Sequence, residues 1–285
     1  MSIDMKNLLL AAGLILTFSG ASFAQEIPPE KQRYISLAPS TTEILFALGL
    51  DKEIAGVSSY CNYPPKAKTK KSVGNFSNPN IEKILSLKPD YIFCTGLEQA
   101  PIVAELKRLG LKVYISDPRN IKELMESISD MGRITGKDKE AQELIRDTQA
   151  QIDNIAALVK LIPENKRLKV FIEIFDDPLT TAGRGTFIDE LITMAGGINI
   201  AGYTKRAYTI FSQEEVIKRN PDCIIIAYMG KEKPAKLMLK RFAWDSISAV
   251  KNNRLYNDID PDTLLRPGPR VALGIKEIYA RLYNR

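Results

Sequence analysis

DKEAQELIRDTQAQIDNIAALV, from Asp138 to Val159, decides the fold. Ala141, Leu144, Ile145, Ile152, Ile155, Ala156 and Val159 recur at helical spacing among charges, with no glycine or proline inside the run. The spacing predicts one long amphipathic helix. Little strand signal appears anywhere from Ile121 to Ile162, and Pro163 with the basic residues Lys166, Arg167 and Lys169 closes the stretch. On both sides of it short apolar runs alternate with amphipathic segments, the pattern of an α/β chain with largely parallel sheets. The expected organisation is a leader at 1–24, an amino-terminal α/β lobe at 25–132, a connecting helix at 133–166 and a carboxy-terminal α/β lobe at 167–285.

Before the connector, strands are expected at Tyr34–Leu37, Ile54–Val57, Tyr91–Cys94 and Val113–Ile115, with helices at Ser40–Leu48, Ile81–Leu87 and Val103–Leu109. Ser40 and Glu43 are spaced as a capping box, and Gly49 and Gly110 stand where helices stop. After the connector come Val170–Phe175, Phe187–Met194 and Cys223–Ala227. A weak internal repeat links the halves. EKILSLKPDYIFC (Glu82–Cys94) and EEVIKRNPDCIII (Glu214–Ile226) each run helix, Pro-Asp turn, apolar strand, and Ile54-Ala55-Gly56 matches Ile200-Ala201-Gly202 upstream.

The chain of 285 residues contains no histidine, which excludes Ser-His-Asp and Cys-His catalysis and histidine-based metal sites. Its net charge of +6 is spread thinly and does not suggest nucleic acid. Lys6, the apolar run Leu8–Phe18 and the small residues ending at Ala24 form a secretory pattern, with Met5 an alternative start. That run is shorter than the roughly 20 apolar residues of a membrane span. The first cysteine, Cys61, is far from the cleavage point, so the expectation is a soluble periplasmic protein rather than an acylated one. Cys61, Cys94 and Cys223 are too few and too scattered for a disulfide framework, and Cys94 and Cys223 sit in strand-like runs as small hydrophobes. No metal cluster is expected.

Two lobes on a stiff connector leave a cleft, and ligands favour such interfaces and the carboxyl ends of parallel strands. The loops that would line it are aromatic: Tyr60, Tyr63 and Phe76 in one lobe, Phe175, Tyr203, Tyr208 and Phe211 in the other. These rings suit a large, flat, partly polar ligand, and equally suit plain loop packing. In RPGPR (Arg266–Arg270) the prolines hold the arginines, either for amide or anion recognition or for pairing with a nearby acid. Glu82 and Glu214 fall at equivalent places in a first helical turn. There they either complement the helix dipole or offer one carboxylate per lobe to a partner.

GVSSYCNYPP (Gly56–Pro65), Ile81-Glu82, Lys88-Pro89-Asp90 and Arg266-Pro267-Gly268-Pro269-Arg270 carry a family resemblance. From about Arg33 onward the chain resembles the periplasmic substrate-binding proteins of ABC importers for cobalamin and ferric siderophores, most closely the cobalamin-binding members. The resemblance implies two α/β lobes on one long helix and a corrinoid clasped between them as transported cargo, with no catalytic cofactor and no enzymatic activity. It implies ligand contacts from Tyr60, Phe76, Tyr208, Asp262 and Arg266, and with the aromatic cleft loops the expected ligand-binding set also includes Phe175 and Thr95. Thr95 stands where the family carries a tryptophan, and Trp244 lies outside those positions. It also implies that a monomer docks on the membrane permease through Glu82 and Glu214. A ferric siderophore or haem is the alternative cargo. A carboxylate-based hydrolase is the remote alternative, because it would need acids about 5 to 10 Å apart, whereas Glu82 and Glu214 lie on separate lobes.

Overall fold

The computed structural model describes residues 32–229 and 241–284; the expected leader at 1–24 lies outside the described residues. The chain begins as β1 (Tyr34–Ser36), α1 (Pro39–Ala47), β2 (Ile54–Val57), α2 (Ile81–Ser86), β3 (Tyr91–Cys94), α3 (Ala100–Arg108) and β4 (Val113–Ile115). Its four strands form a wholly parallel sheet in the order β2-β1-β3-β4. Such a sheet is covered on both faces, and Ile35, Ile92, Phe93 and Cys94 are accordingly fully buried.

Two helices follow, α4 (Ile121–Thr135) and α5 (Asp138–Val159), separated by Gly136 in the left-handed conformation (φ 69°). The second half runs β5 (Lys169–Glu173), β6 (Phe175–Asp176), β7 (Leu179–Ala182), α6 (Phe187–Met194), β8 (Ile198–Asn199), β9 (Tyr208–Ile210), α7 (Gln213–Arg219), β10 (Cys223–Ile226), α8 (Ser248–Lys251), β11 (Leu255–Tyr256), α9 (Asp262–Leu265) and α10 (Val271–Tyr283). Strands β11-β10-β5-β8 form a second parallel sheet, and β6-β7-β9 a small antiparallel one.

Counted in order of appearance, both parallel sheets have the same topology, second-first-third-fourth. The repeated Pro-Asp turn has the same task in each. Asp90 accepts the Arg33 N–H through its carboxylate (2.7 Å) and donates its own N–H to the Arg33 carbonyl (2.8 Å). Asp222 makes the same pair with Lys169 (2.9 and 2.8 Å). Each turn therefore locks the third strand beside the first.

The 22-residue α5 buries Ala141, Thr148, Ile152, Ile155 and Val159, one stripe of its expected face. It packs on α4 on one side and on α6 and α10 on the other. One apolar cluster thus runs from Ile44 and Leu45 through Ile128 and Ile155 to Ile192 and Ile278. Separate clusters cover the outer faces of the two sheets.

Two expected helix starts differ. Helix α1 begins at Pro39 behind Ala38 without a side-chain cap, so Ser40 and Glu43 form no capping box. Proline suits the first helical position because its missing N–H would be unpaired there anyway. For the same reason Pro101 draws the start of α3 back to Ala100 from the expected Val103. Buried Trp244 packs in the outer core of the second half, edge-on to Phe171.

Candidate functional site

The loops leaving the carboxyl ends of β1, β2 and β3 meet around one buried amide. Gln99 is fully buried; its Nε2 donates to the carbonyls of Leu37 (3.0 Å) and Phe76 (2.8 Å), and its Oε1 accepts the Thr95 N–H (2.9 Å). Ser59 N–H donates to the Gly74 carbonyl (2.8 Å), which ties the Tyr60 loop to the Phe76 loop. Gly74 has φ 113°, and a side chain there would press on the Pro79-Asn80 backbone, so glycine is required for this turn. Tyr60 remains 58% exposed, Phe76 is half-buried, and the half-buried Thr95 hydroxyl lies 3.4 Å from Asp117.

In the other half the antiparallel sheet carries a second group of rings. Phe175 pairs with Thr180, Thr180 with Ile210, and Ala182 with Tyr208. Cross-strand partners and residues two apart share a face, so Phe175, Ile210 and Tyr208 stand together. All three are exposed. Although the Tyr208 ring is exposed, partial desolvation of its phenol raises the pKa, and the negative charges of Asp117 and Glu98 in the first half raise it further. Tyr203 is instead engaged with Glu215 and stacked by Arg219, while Phe211 is buried on Phe171.

The RPGPR segment joins the halves. Arg270 makes a bidentate pair with Glu43 of α1 (2.8 and 2.7 Å), reaches Asp260 (2.8 Å) and covers the Tyr63 ring. Glu43 is buried, and desolvation keeps its pKa above the usual carboxylate value even though both Arg270 and Arg266 draw it down. Arg266 donates to Asn62 Oδ1 (2.6 Å) and pairs with Asp262 (2.9 Å), while Asn62 Nδ2 donates back to Asp262 (3.3 Å). Its buried Nε has no partner among the described residues. A second tie joins the Glu190 carboxylate of α6 to the Ile121 N–H of α4 (2.7 Å).

The structure therefore brings Tyr60, Phe76 and Thr95 together on one side, Phe175 and Tyr208 on the other, and Asp262 and Arg266 against the Tyr60–Tyr63 loop. Gln99, Asn62, Glu43 and Ile210 are the contributors missing from the sequence reading. Only Ile210 had a signal, the strand alternation Tyr208-Thr209-Ile210. Glu82 and Glu214 stand apart from this site as exposed second residues of α2 and α7. Asn80 and Ser212 cap those helices by accepting the N–H of Lys83 and Glu215. The Ser212 hydroxyl also bonds the Glu214 carboxylate and lowers its pKa.

The family model for periplasmic binding proteins matches residues 35–262. The chain belongs to that family. Among curated relatives it is 34% identical to an uncharacterized ABC transporter substrate-binding lipoprotein of Bacillus subtilis, over 90% of this chain and 82% of that one. It is 29% identical to a vitamin B12-binding protein of Vibrio cholerae, over 94% and 95%. Among solved structures, a possible iron-binding periplasmic solute-binding protein of Staphylococcus epidermidis superposes with TM-score 0.77 at 34% identity, covering 89% and 99%. A periplasmic heme-binding protein of Roseiflexus superposes with TM-score 0.80 at 26% identity, covering 89% and 98%. As a periplasmic binding protein of the ABC-importer type, the chain has the two-lobed α/β fold expected of it. Among the described residues no helix is long and apolar enough to cross a membrane.

Proposed function

We propose that this periplasmic binding protein captures cobalamin or a related corrinoid between its two lobes and hands it to an ABC permease. The observation that carries the reading is that each lobe exposes a ring-bearing surface, Tyr60 and Phe76 in the first and Phe175, Ile210 and Tyr208 in the second, with Tyr208 within electrostatic reach of Asp117 and Glu98 of the first. Such walls bury a broad apolar ligand face at little conformational cost. In this reading Arg266 and Asp262, paired with each other at 2.9 Å, meet the amide fringe of the ring. Vitamin B12-binding relatives of nearly equal length support the same reading.

In this reading the chain carries cargo without transforming it, works as a soluble monomer after losing its leader, and keeps the lobe limits 25–132 and 167–285 around the connector at 133–166. Glu82 and Glu214 dock the permease, one carboxylate from each lobe. Haem is the second reading, favoured by the exposed Tyr60 phenol as an iron ligand and by the heme-binding structural neighbour; a ferric siderophore is the third.

Thermal-shift titration with cobalamin, cobinamide, haemin and a siderophore panel tests the assignment, since a ligand of the native state raises the melting temperature by mass action. The expected result is a shift with the corrinoids. A shift with haemin alone, accompanied by a tyrosinate-haem spectrum, replaces corrinoid by haem.

A further inference from the structure

The second parallel sheet carries a polar cavity at the end opposite the cleft. It is an open space of about 490 Å³ at the amino ends of β5, β10 and β11. Small-molecule sites typically span about 300 to 1,000 Å³. Helices α8 and α10 end beside it. The Asp222 carboxylate and the amides of Asn252, Asn253 and Asn284 line it, together with the guanidinium groups of Arg254 and Arg281. The half-buried Tyr256 ring adds apolar surface to the wall.

The charges around this cavity are balanced before any ligand arrives. Arg281 is paired with Asp258 (3.0 Å) and Glu277 (3.3 Å). Arg254 forms no ion pair with a described residue, but it donates to the Leu282 carbonyl (3.1 Å) in the last turn of α10, at the negative end of the helix dipole. Asp222 accepts the Lys169 N–H (2.9 Å) and keeps its negative charge in the lining. An anion would therefore meet no uncompensated cation here. What remains is a mixed set of polar atoms. Among the described residues the side-chain amides of Asn253 and Asn284 have no partner, and Asn252 uses only its Nδ2, on the Ser248 carbonyl (2.9 Å). Each amide offers a donor and an acceptor side by side, which matches a hydroxyl group, itself both donor and acceptor.

We infer that this cavity is a second binding site, for a neutral saccharide unit, with Asp222 and the three asparagines meeting its hydroxyls, Arg254 donating to them, and the Tyr256 ring packing on its apolar face. The cleft lies at the carboxyl ends of the strands and this cavity at the amino ends, so cargo and saccharide bind independently.

Amide NMR spectra of the protein, titrated with glucose, N-acetylglucosamine, maltose and chitobiose, test the inference, with inorganic phosphate and glutamate as charged comparisons. The expected result is a set of shifts confined to Asn252–Tyr256 and the rest of the cavity lining, saturating at roughly millimolar dissociation constants and tighter for the disaccharides. N252A/N253G removes two of the amides, and glycine suits the left-handed backbone of Asn253 (φ 55°). The variant should bind the sugars about fivefold more weakly with an unchanged melting temperature. I210D, altered in the cleft, should bind them as the unmodified protein does. Absence of shifts with all four sugars overturns the inference, as does undiminished binding by N252A/N253G. Loss of binding in I210D places the saccharide in the cleft and also overturns it. Shifts with phosphate or glutamate alone overturn it in favour of an anion site.

Discussion

Gln99 shows how one uncharged side chain holds a binding wall. Its amide satisfies backbone groups from β1, the Phe76 loop and the end of β3, none of which can be paired by local structure. Gln99→Leu should lower stability by about 2 kcal/mol through the unsatisfied polar groups it leaves, and should weaken macrocycle binding about tenfold by freeing Phe76. Denaturant melts and calorimetry read the two effects separately. The thiols give an independent check. Cys61, Cys94 and Cys223 are all free and buried, and burial pushes Cys94 and Cys223 up to about 12. The native protein at pH 8 should therefore leave the thiol reagent DTNB unreacted, whereas all three cysteines should react in denaturant. The cysteine runs were legible as core because their neighbours are apolar; Gln99 was not, because two of its three partners, the carbonyls of Leu37 and Phe76, are distant in the chain.

At the scale of elements, the start of α4 carries its own pH response. The Glu123 carboxylate accepts from the Arg119 guanidinium (2.7 and 3.2 Å), the Arg119 N–H (2.8 Å) and the Asn120 amide (3.1 Å). These donors, Arg119 above all, hold its pKa at about 2 against an ordinary 4.5. A lowered native value means the contribution is present above pH 4.5 and is lost as pH falls toward 2. Carboxylate titration by NMR should place the Glu123 midpoint near 2, and Glu123→Gln should flatten that part of the acid unfolding curve. The sheet β6-β7-β9 makes a different prediction. Ile210 is 66% exposed, so Ile210→Asp should leave the fold intact yet weaken macrocycle binding about tenfold or more, by putting a charge on the apolar wall. Equilibrium binding and a thermal melt separate these outcomes. Helix α5, the four strands of the first parallel sheet and β5 and β10 of the second were readable from periodicity and buried apolar runs, whereas β8 and β11, two residues each, were not. The strands of the antiparallel sheet are two to four residues long; β6 is too short for a pattern to declare itself, and β7, Leu-Thr-Thr-Ala, lacks the apolar run that marks β3 and β10.

For the whole molecule, the halves are joined by α5, by the apolar layer beneath both sheets, and by polar ties that include Glu43 with Arg270, Asn62 with Arg266 and Asp262, and Glu190 with the Ile121 N–H. Breaking one partner of a buried pair costs more than the pair itself contributes. Glu43→Ala should therefore destabilise by about 3 kcal/mol, and Glu43→Leu with Arg270→Met should recover most of that in a chemical melt. If Glu82 and Glu214 dock the permease as proposed, Glu82→Ala with Glu214→Ala should leave ligand affinity unchanged and reduce stimulation of the permease ATPase, since rim charges affect association more than the cleft. The sequence alone determined the long connecting helix, the repeated helix and Pro-Asp turn before the third strand of each half, and the aromatic content of the cleft loops. Each of these is written within a few neighbouring residues. Tertiary structure decided that Glu43 serves Arg270 rather than a helix cap, that Asn62 meets Asp262 and Arg266 some 200 positions away, and that Ile210 joins Phe175 and Tyr208 on one face. Those pairings come from packing between distant segments, and no local spacing encodes which polar group a buried side chain will meet.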